Sequence, residues 1–171
     1  IYTSRIFVSG MRLFIFLLFI PFLLFGQTPK ELAVNLINKK QYQSAEVLMH
    51  KYVKSNTSDK RAIELLGDAY GHQKKWDNAI EQYKKLTQLE VNNANYNYKY
   101  GGALGMKVLS VSKIKALGII GDVKKAFLKA AELDPKHIET RWALVELYMS
   151  LPGIIGGSKK KSLKYANQLE I

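Results

Sequence analysis

An all-α solenoid of stacked helix–turn–helix units is the fold this sequence predicts, and three observations predict it. First, residues 34 positions apart answer one another: Leu32 and Leu66, Ala33 and Gly67, Leu36 and Tyr70, Tyr42 and Trp76, Ala45 and Ala79, Met49 and Tyr83, Tyr52 and Leu86. Tyr100, Gly101 and Leu104 then repeat Leu66, Gly67 and Tyr70 at the same interval. A fixed period of this length marks stacked supersecondary units. Second, the repeating positions hold small residues where helices cross closely and large rings that fill the space between turns. Two amphipathic helices cannot bury their apolar faces alone, so neighbouring units share one core. Third, 171 residues leave room for one short array and not for two independent cores.

Ahead of the array, Met11-Arg12 leads into an unbroken apolar run from Leu13 to Phe25, closed by Gly26-Gln27. A cationic start, a short apolar centre and a small residue at its end form the pattern of a secretory signal peptide over residues 11–26. Thirteen helical residues reach roughly 20 Å, short of the ~30 Å hydrocarbon core, and Pro21 would bend a helix there. The expectation is export, with a periplasmic or secreted mature chain. The alternative keeps residues 13–25 as an inner-membrane anchor. No Cys ends the run, so lipoprotein processing is excluded. Residues 1–10 read as sequence upstream of a start at Met11, and the helical pattern from Lys159 to Ile171 stops without a cap, as in a fragment.

The array divides into units of about 27–59, 60–93, 94–137 and 138–171. The second is the clearest, with Leu66, Gly67 and Tyr70 on its first helix and Ala79 and Tyr83 on its second. In the third, Val123, Phe127, Ala130, Leu133 and Pro135 each follow their counterparts Ala79, Tyr83, Leu86, Leu89 and Val91 by 44. Ten residues are therefore inserted between its helices, within roughly Gly105 to Gly121. Val108, Val111, Ile114 and Leu117 make much of the insert helical by their spacing. The fourth unit opens on Glu139 to Tyr148 and is interrupted by Leu151-Pro152-Gly153-Ile154-Ile155-Gly156-Gly157-Ser158. Pro-Gly sets a turn there, Ile154 and Ile155 are expected to plug the gap between units, and Ser158 is a natural N-cap.

Leu66, Gly67, Tyr70, Ala79 and Tyr83 resemble the tetratricopeptide pattern position for position. The resemblance implies a tetratricopeptide helix-turn-helix solenoid of three complete units and a truncated fourth, with two inter-helix insertions. Phe127 through Ser158 also resembles exported bacterial tetratricopeptide proteins with an A-x-E-L-D-P segment, a helix bearing R-W and a P-G-x-x-G-G turn. Such arrays line a concave groove with their first helices. Carried over by the repeat frame, the ligand-binding groove comprises Lys30, Arg61, Glu64, Asp68, His72, Tyr98, Gly102, Met106, Glu139, Trp142 and Glu146. Two cations oppose four acids there, which implies a net negative groove. Chaperone-binding members grip a C-terminal carboxylate with Lys, Asn, Asn, Lys and Arg. Lys30 fits and Lys99 stands in for the Arg, but Val34, Leu65 and Asn95 take the other places, so that function is not carried over.

Other chemistry is weakly signalled. Gly156-Gly157-Ser158-Lys159 has the wrong order and context for a phosphate-binding loop, and helical repeats are the wrong setting for a GXXG nucleic-acid clamp. Asp68 and His72, four apart, lack a third metal ligand. No Ser or acid pair suggests a nucleophile and base, and Cys is absent. No catalytic residue, metal or cofactor is assigned. Lys and Arg outnumber Asp and Glu 26 to 14. Yet many lysines come as pairs (Lys39-Lys40, Lys74-Lys75, Lys84-Lys85, Lys124-Lys125), expected near helix ends where they solvate the surface and suit the dipole. The reading is a non-catalytic protein- or peptide-binding scaffold of the bacterial cell envelope, without a nucleic-acid partner. The alternatives are a membrane-tethered assembly factor whose lysines make peripheral membrane contact, and an anion or nucleic-acid binder through Lys159, Lys160, Lys161 and Lys164.

The mature protein is expected to begin near Gln27. N-terminal sequencing of protein from fractionated cells checks this, and full-length chain in the membrane fraction, Leu13 included, overturns it.

Overall fold

The computed structural model describes residues 27–169, so the signal-peptide residues 11–26 and the alternative anchor 13–25 lie outside the described residues. Among the described residues eight α-helices run in sequence: α1 Pro29–Asn38, α2 Tyr42–Ser55, α3 Lys60–His72, α4 Trp76–Leu89, α5 Ala94–Ser110, α6 Lys113–Leu133, α7 Ile138–Ser150 and α8 Lys159–Ala166. None is long and apolar enough to cross a membrane.

Local chemistry sets the helix starts. Thr28 and Glu31 form a reciprocal capping box with Pro29 at the first turn of α1. Asp59 accepts from the Ala62 N–H at the start of α3, Asn93 from Tyr96 at α5 and Ser158 from Lys161 at α8. The turns after α1 and α3 place Lys40 and Lys74 at φ 59°, the left-handed region, at one repeat position 34 apart. The lysine pairs divide accordingly. Lys39-Lys40 and Lys74-Lys75 do sit at helix ends, whereas Lys84-Lys85 lies within α4 and Lys124-Lys125 in mid-α6.

Each helix packs on its sequence neighbours; in addition α1 reaches α3 and α5 reaches α7. The first helices of successive units thus form one layer of the solenoid. Met49, Ile63, Leu66, Tyr83 and Leu86 centre one buried cluster, and Leu104, Phe127, Leu144 and Tyr148 a second. Ile80 and Tyr100 pack against both, so the core is continuous from unit to unit.

Within a unit, the helix-to-helix distance is set by a ring lying on a glycine. A Cβ on Gly67 would come 2.7 Å from the Tyr83 ring, and one on Gly101 would come 2.8 Å from Phe127. Tyr83 follows Gly67 by 16 residues and Phe127 follows Gly101 by 26, so the contact survives the ten-residue insertion. The insertion is carried by the helices. α5 has 17 residues against 13 in α3, and α6 has 21 against 14 in α4. A two-residue break at Val111-Ser112 replaces the three-residue turn.

The second insertion is carried by the loop. α7 keeps 13 residues and Leu151–Ser158 makes the extra length. Gly153–Ile155 is one 3-10 turn, Gly156 sits at φ 102°, and a Cβ on Gly157 would come 1.7 Å from the Leu151 carbonyl oxygen. This compact reversal turns Ile154 outward, 96% exposed. It does not plug the gap between units; Ile155 alone is half-buried.

Gly67→Ala should destabilise the fold by about 1–3 kcal/mol, because the Tyr83 ring that must yield is itself buried and bonded. Gly102 has open space where its Cβ would stand. Gly102→Ala should therefore be neutral or stabilise by up to about 1 kcal/mol through helix propensity. Denaturant unfolding of both variants checks the pair.

Candidate functional site

The candidate groove residues lie on α1, α3, α5 and α7, and the structure divides them by charge partner. At the centre, Lys99 of α5 reaches across to α3. Its ammonium lies 2.7 Å from a Glu64 carboxylate oxygen and 2.7 Å from Asp68 Oδ1. Arg61 holds the other Glu64 oxygen at 2.9 Å, and the Tyr83 hydroxyl donates to Asp68 at 2.7 Å. Glu64 is buried, with an exposure of 8%. Burial pushes its carboxyl up, but the Lys99 bond and charge, with those of Arg61, outweigh burial and hold it below the usual range. Burial, then the Asp68 charge and bond, push the Tyr83 hydroxyl far up.

These pairs divide the charge of the expected net negative groove. Lys99, counted only as a stand-in for a clamp arginine, and Arg61 together offset Glu64 and Asp68. Lys30 in turn is paired with Asp59 at 2.9 Å. Asp68 is also unavailable to share a metal with His72, whose ring stacks on Tyr42 at 4.5 Å between centroids. Among the described residues no group of three or more His, Cys, Asp or Glu could hold a metal ion.

At the α5–α7 end neither Glu139 nor Glu146 is paired with a lysine or arginine among the described residues. Glu139, Trp142, Glu146 and Met149 are three, four and three residues apart, so they share one face of α7, and all four are exposed. Trp142 is 56% exposed. Tyr98 is half-buried, its ring 5.2 Å from the His137 ring and 6.1 Å from Phe127. Burial pushes its hydroxyl up, and the charges of Glu139 and Glu146 push the same way, as they would from close by. His137 Nδ1 lies 3.4 Å from Glu139, but that nitrogen accepts the Thr140 N–H at 3.2 Å. Met106 of α5 is exposed, and beside Gly102 there is open space. The result is an acidic, aromatic patch on the first-helix layer, suited to a cation carried on an apolar stem.

The basic cluster on α8 is arranged differently. Lys161 and Lys124 both lie over the Tyr148 ring, at 5.5 and 5.8 Å, and Lys164 lies over Tyr165 at 6.0 Å. These ammonium groups face aromatic surface and do not converge on one point. Two residues the repeat frame passed over also matter. His137 caps α7 with its ring nitrogen and supports Tyr98. Arg141 is buried and donates to the Asp134 and His137 carbonyls at 3.1 Å, fixing the turn between α6 and α7. Their signal was adjacency to the Asp134-Pro135 turn, which the 34-residue frame does not weigh.

No family model and no curated protein matches this chain. Solved structures do match. TTC0263, a thermophilic tetratricopeptide protein of Thermus thermophilus, superposes with a TM-score of 0.67 at 20% identity over 83% of this chain and 73% of its own. MamA MSR-1 superposes at 0.63 and 19% identity, covering 83% and 75%. The type III secretion chaperone SycD of Yersinia enterocolitica, solved with a peptide of the translocator YopD, gives 0.55 at 17% identity, covering 83% and 87%. At these identities the likeness establishes the fold: an all-α tetratricopeptide solenoid.

Lys99→Met should cost about 1–3 kcal/mol, because it leaves the buried Glu64 carboxylate to the Arg61 cation and takes the cation from Asp68. Wild-type Glu64 is held below the usual glutamate range, so its share of stability is complete above that range and is lost as pH falls through the lowered folded value. In the variant burial is opposed by Arg61 alone, so the carboxyl rises and the variant loses less as pH falls. The gap between the two thermal midpoints should narrow from about pH 7 to about pH 4. A constant gap would show that Lys99 does not hold Glu64.

Proposed function

We propose that this protein is a non-catalytic scaffold that holds a peptide or protein segment against the first-helix face of its C-terminal half. The observation that carries the reading is the α7 stripe. Trp142 stands open to solvent between two carboxylates one turn away on either side, neither paired with a lysine or arginine among the described residues, with the exposed Met106 on the neighbouring first helix. Exposed tryptophan on a rigid helix is the type of residue that anchors partners. The acids around it favour a segment that presents Lys or Arg with an apolar neighbour. SycD, of the same fold, was solved with a bound peptide, which supports this class of work for such a solenoid.

A place in the bacterial cell envelope is part of the proposal. It is supported by the Met11-Arg12 start and the apolar run to Phe25, and by the resemblance of the P-G-x-x-G-G region to exported proteins.

Glu64 belongs to the framework and is no test of binding, since Glu64→Lys would set a third cation beside Lys99 and Arg61. Trp142→Ala and Glu146→Gln are the informative variants. Each should weaken binding of a Lys/Arg-containing peptide by about tenfold, roughly 1.4 kcal/mol, while thermal unfolding stays unchanged. Titration calorimetry on basic, neutral and acidic peptide sets checks this. A preference for acidic peptides, or affinity untouched by both variants, overturns the assignment.

A further inference from the structure

The ten-residue insertion in the third unit turns Val108 and Ile119 onto the second core cluster, but its far end packs on neither cluster. It lengthens α5 and α6 together and carries their connecting end beyond the length of the other pairs. There Leu109 is 80% exposed, Ile114 84% and Leu117 56%. At Leu109 and Ile114 most of the side chain stands in solvent. Isolated exposed leucines need no explanation, but a cluster of large aliphatics at one helix-pair end does. Along the chain the charge of this end has one sign. From Val91 to Gly121 there is no Asp or Glu, and Lys113 and Lys115 flank Ile114. Neither lysine takes part in an ion pair among the described residues, whereas Lys107 is tied to Asp77.

We infer that the α5–α6 end is a membrane-contact site: Leu109, Ile114 and Leu117 enter the headgroup–acyl boundary of an anionic bilayer while Lys113 and Lys115 lie among its phosphates. Aliphatic side chains with flanking cations are the composition that partitions into such an interface. Long lysine stems let the charge stay at headgroup level while the helix end sinks. Each lysine near an anionic surface adds roughly fivefold to partitioning. A protein partner would need an area of about 800 Å² on this side, and an acid-free tip of two helix ends with no recess offers little of it. The site is separate from the α7 stripe, so the two readings stand or fall independently.

The chain has no cysteine, so Ile114→Cys in the full-length protein takes a single polarity-sensitive fluorophore. Val47→Cys on α2, at a position 62% exposed, is the control. The fluorophore reports its own surroundings, whether or not residues 13–25 also hold the chain to the vesicle. With phosphatidylglycerol vesicles the emission at position 114 should move to the blue while that at 47 stays put. Phosphatidylcholine should give a smaller shift, and Lys113→Gln with Lys115→Gln should raise the lipid needed by roughly tenfold or more. A water-like label at 114 in the presence of the anionic vesicles overturns the inference, as does an equal shift at 47. A label already blue without lipid does so too: concentration dependence would assign the cover to a second copy, and its absence to another part of the chain.

Discussion

A ring resting on a glycine is the contact from which the rest of this structure follows. Tyr83 on Gly67 and Phe127 on Gly101 bring the two helices of a unit together at a spacing that a single methyl group would disturb. At that spacing the small residues Ala79 and Ala130 are fully buried, and the solenoid can stack the next pair on the same plane. The first unit has Ala33 and Met49 at the corresponding repeat positions, both wholly buried in one cluster. A narrower, pliant side chain suits a position that carries an extra carbon, which is how the period tolerates this exchange.

The ring also organises charge. Tyr83 presents its hydroxyl to Asp68, which meets Lys99, which meets Glu64. A packing residue of one unit is thereby connected to a bridge between units. α3 and α5 approach one another less closely than α1 and α3 do, and these long polar side chains, with the Tyr96 ring, span the interval. Acids that a positional frame assigns to a ligand thus hold the scaffold together, whereas among the described residues no lysine or arginine pairs with Glu139 or Glu146 on α7.

Insertions are absorbed by two different means. In the third unit the extra residues prolong both helices, since α5 and α6 can go on bonding internally without disturbing Gly101 and Phe127. In the fourth they form a loop, because Pro152 cannot continue a helix and Gly156 and Gly157 accept a conformation and a closeness that side chains would resist. The first solution creates new surface at a helix-pair end; the second returns the chain to its place, with Ser162 bonded to the Val145 carbonyl at 3.1 Å.

The architecture was legible in the sequence because helix pairing depends on residue size at fixed intervals, and size is printed in the chain. The 34-residue answers, the 44-residue offset in the third unit and the Ser158 cap each name a local geometric need. The candidate site was legible only in part. Glu139, Trp142 and Glu146 fall on one face by helical spacing alone. That no lysine or arginine pairs with these two acids among the described residues, while Glu64 and Asp68 are spent on Lys99, depends on side chains more than 30 residues apart meeting in space. So does the exposure of Ile154 and Ile114, which are as apolar as their buried counterparts. Periodicity by itself determined which residues face which layer; only the tertiary structure decided which charges cancel and which apolar side chains remain uncovered, because both depend on what lies opposite.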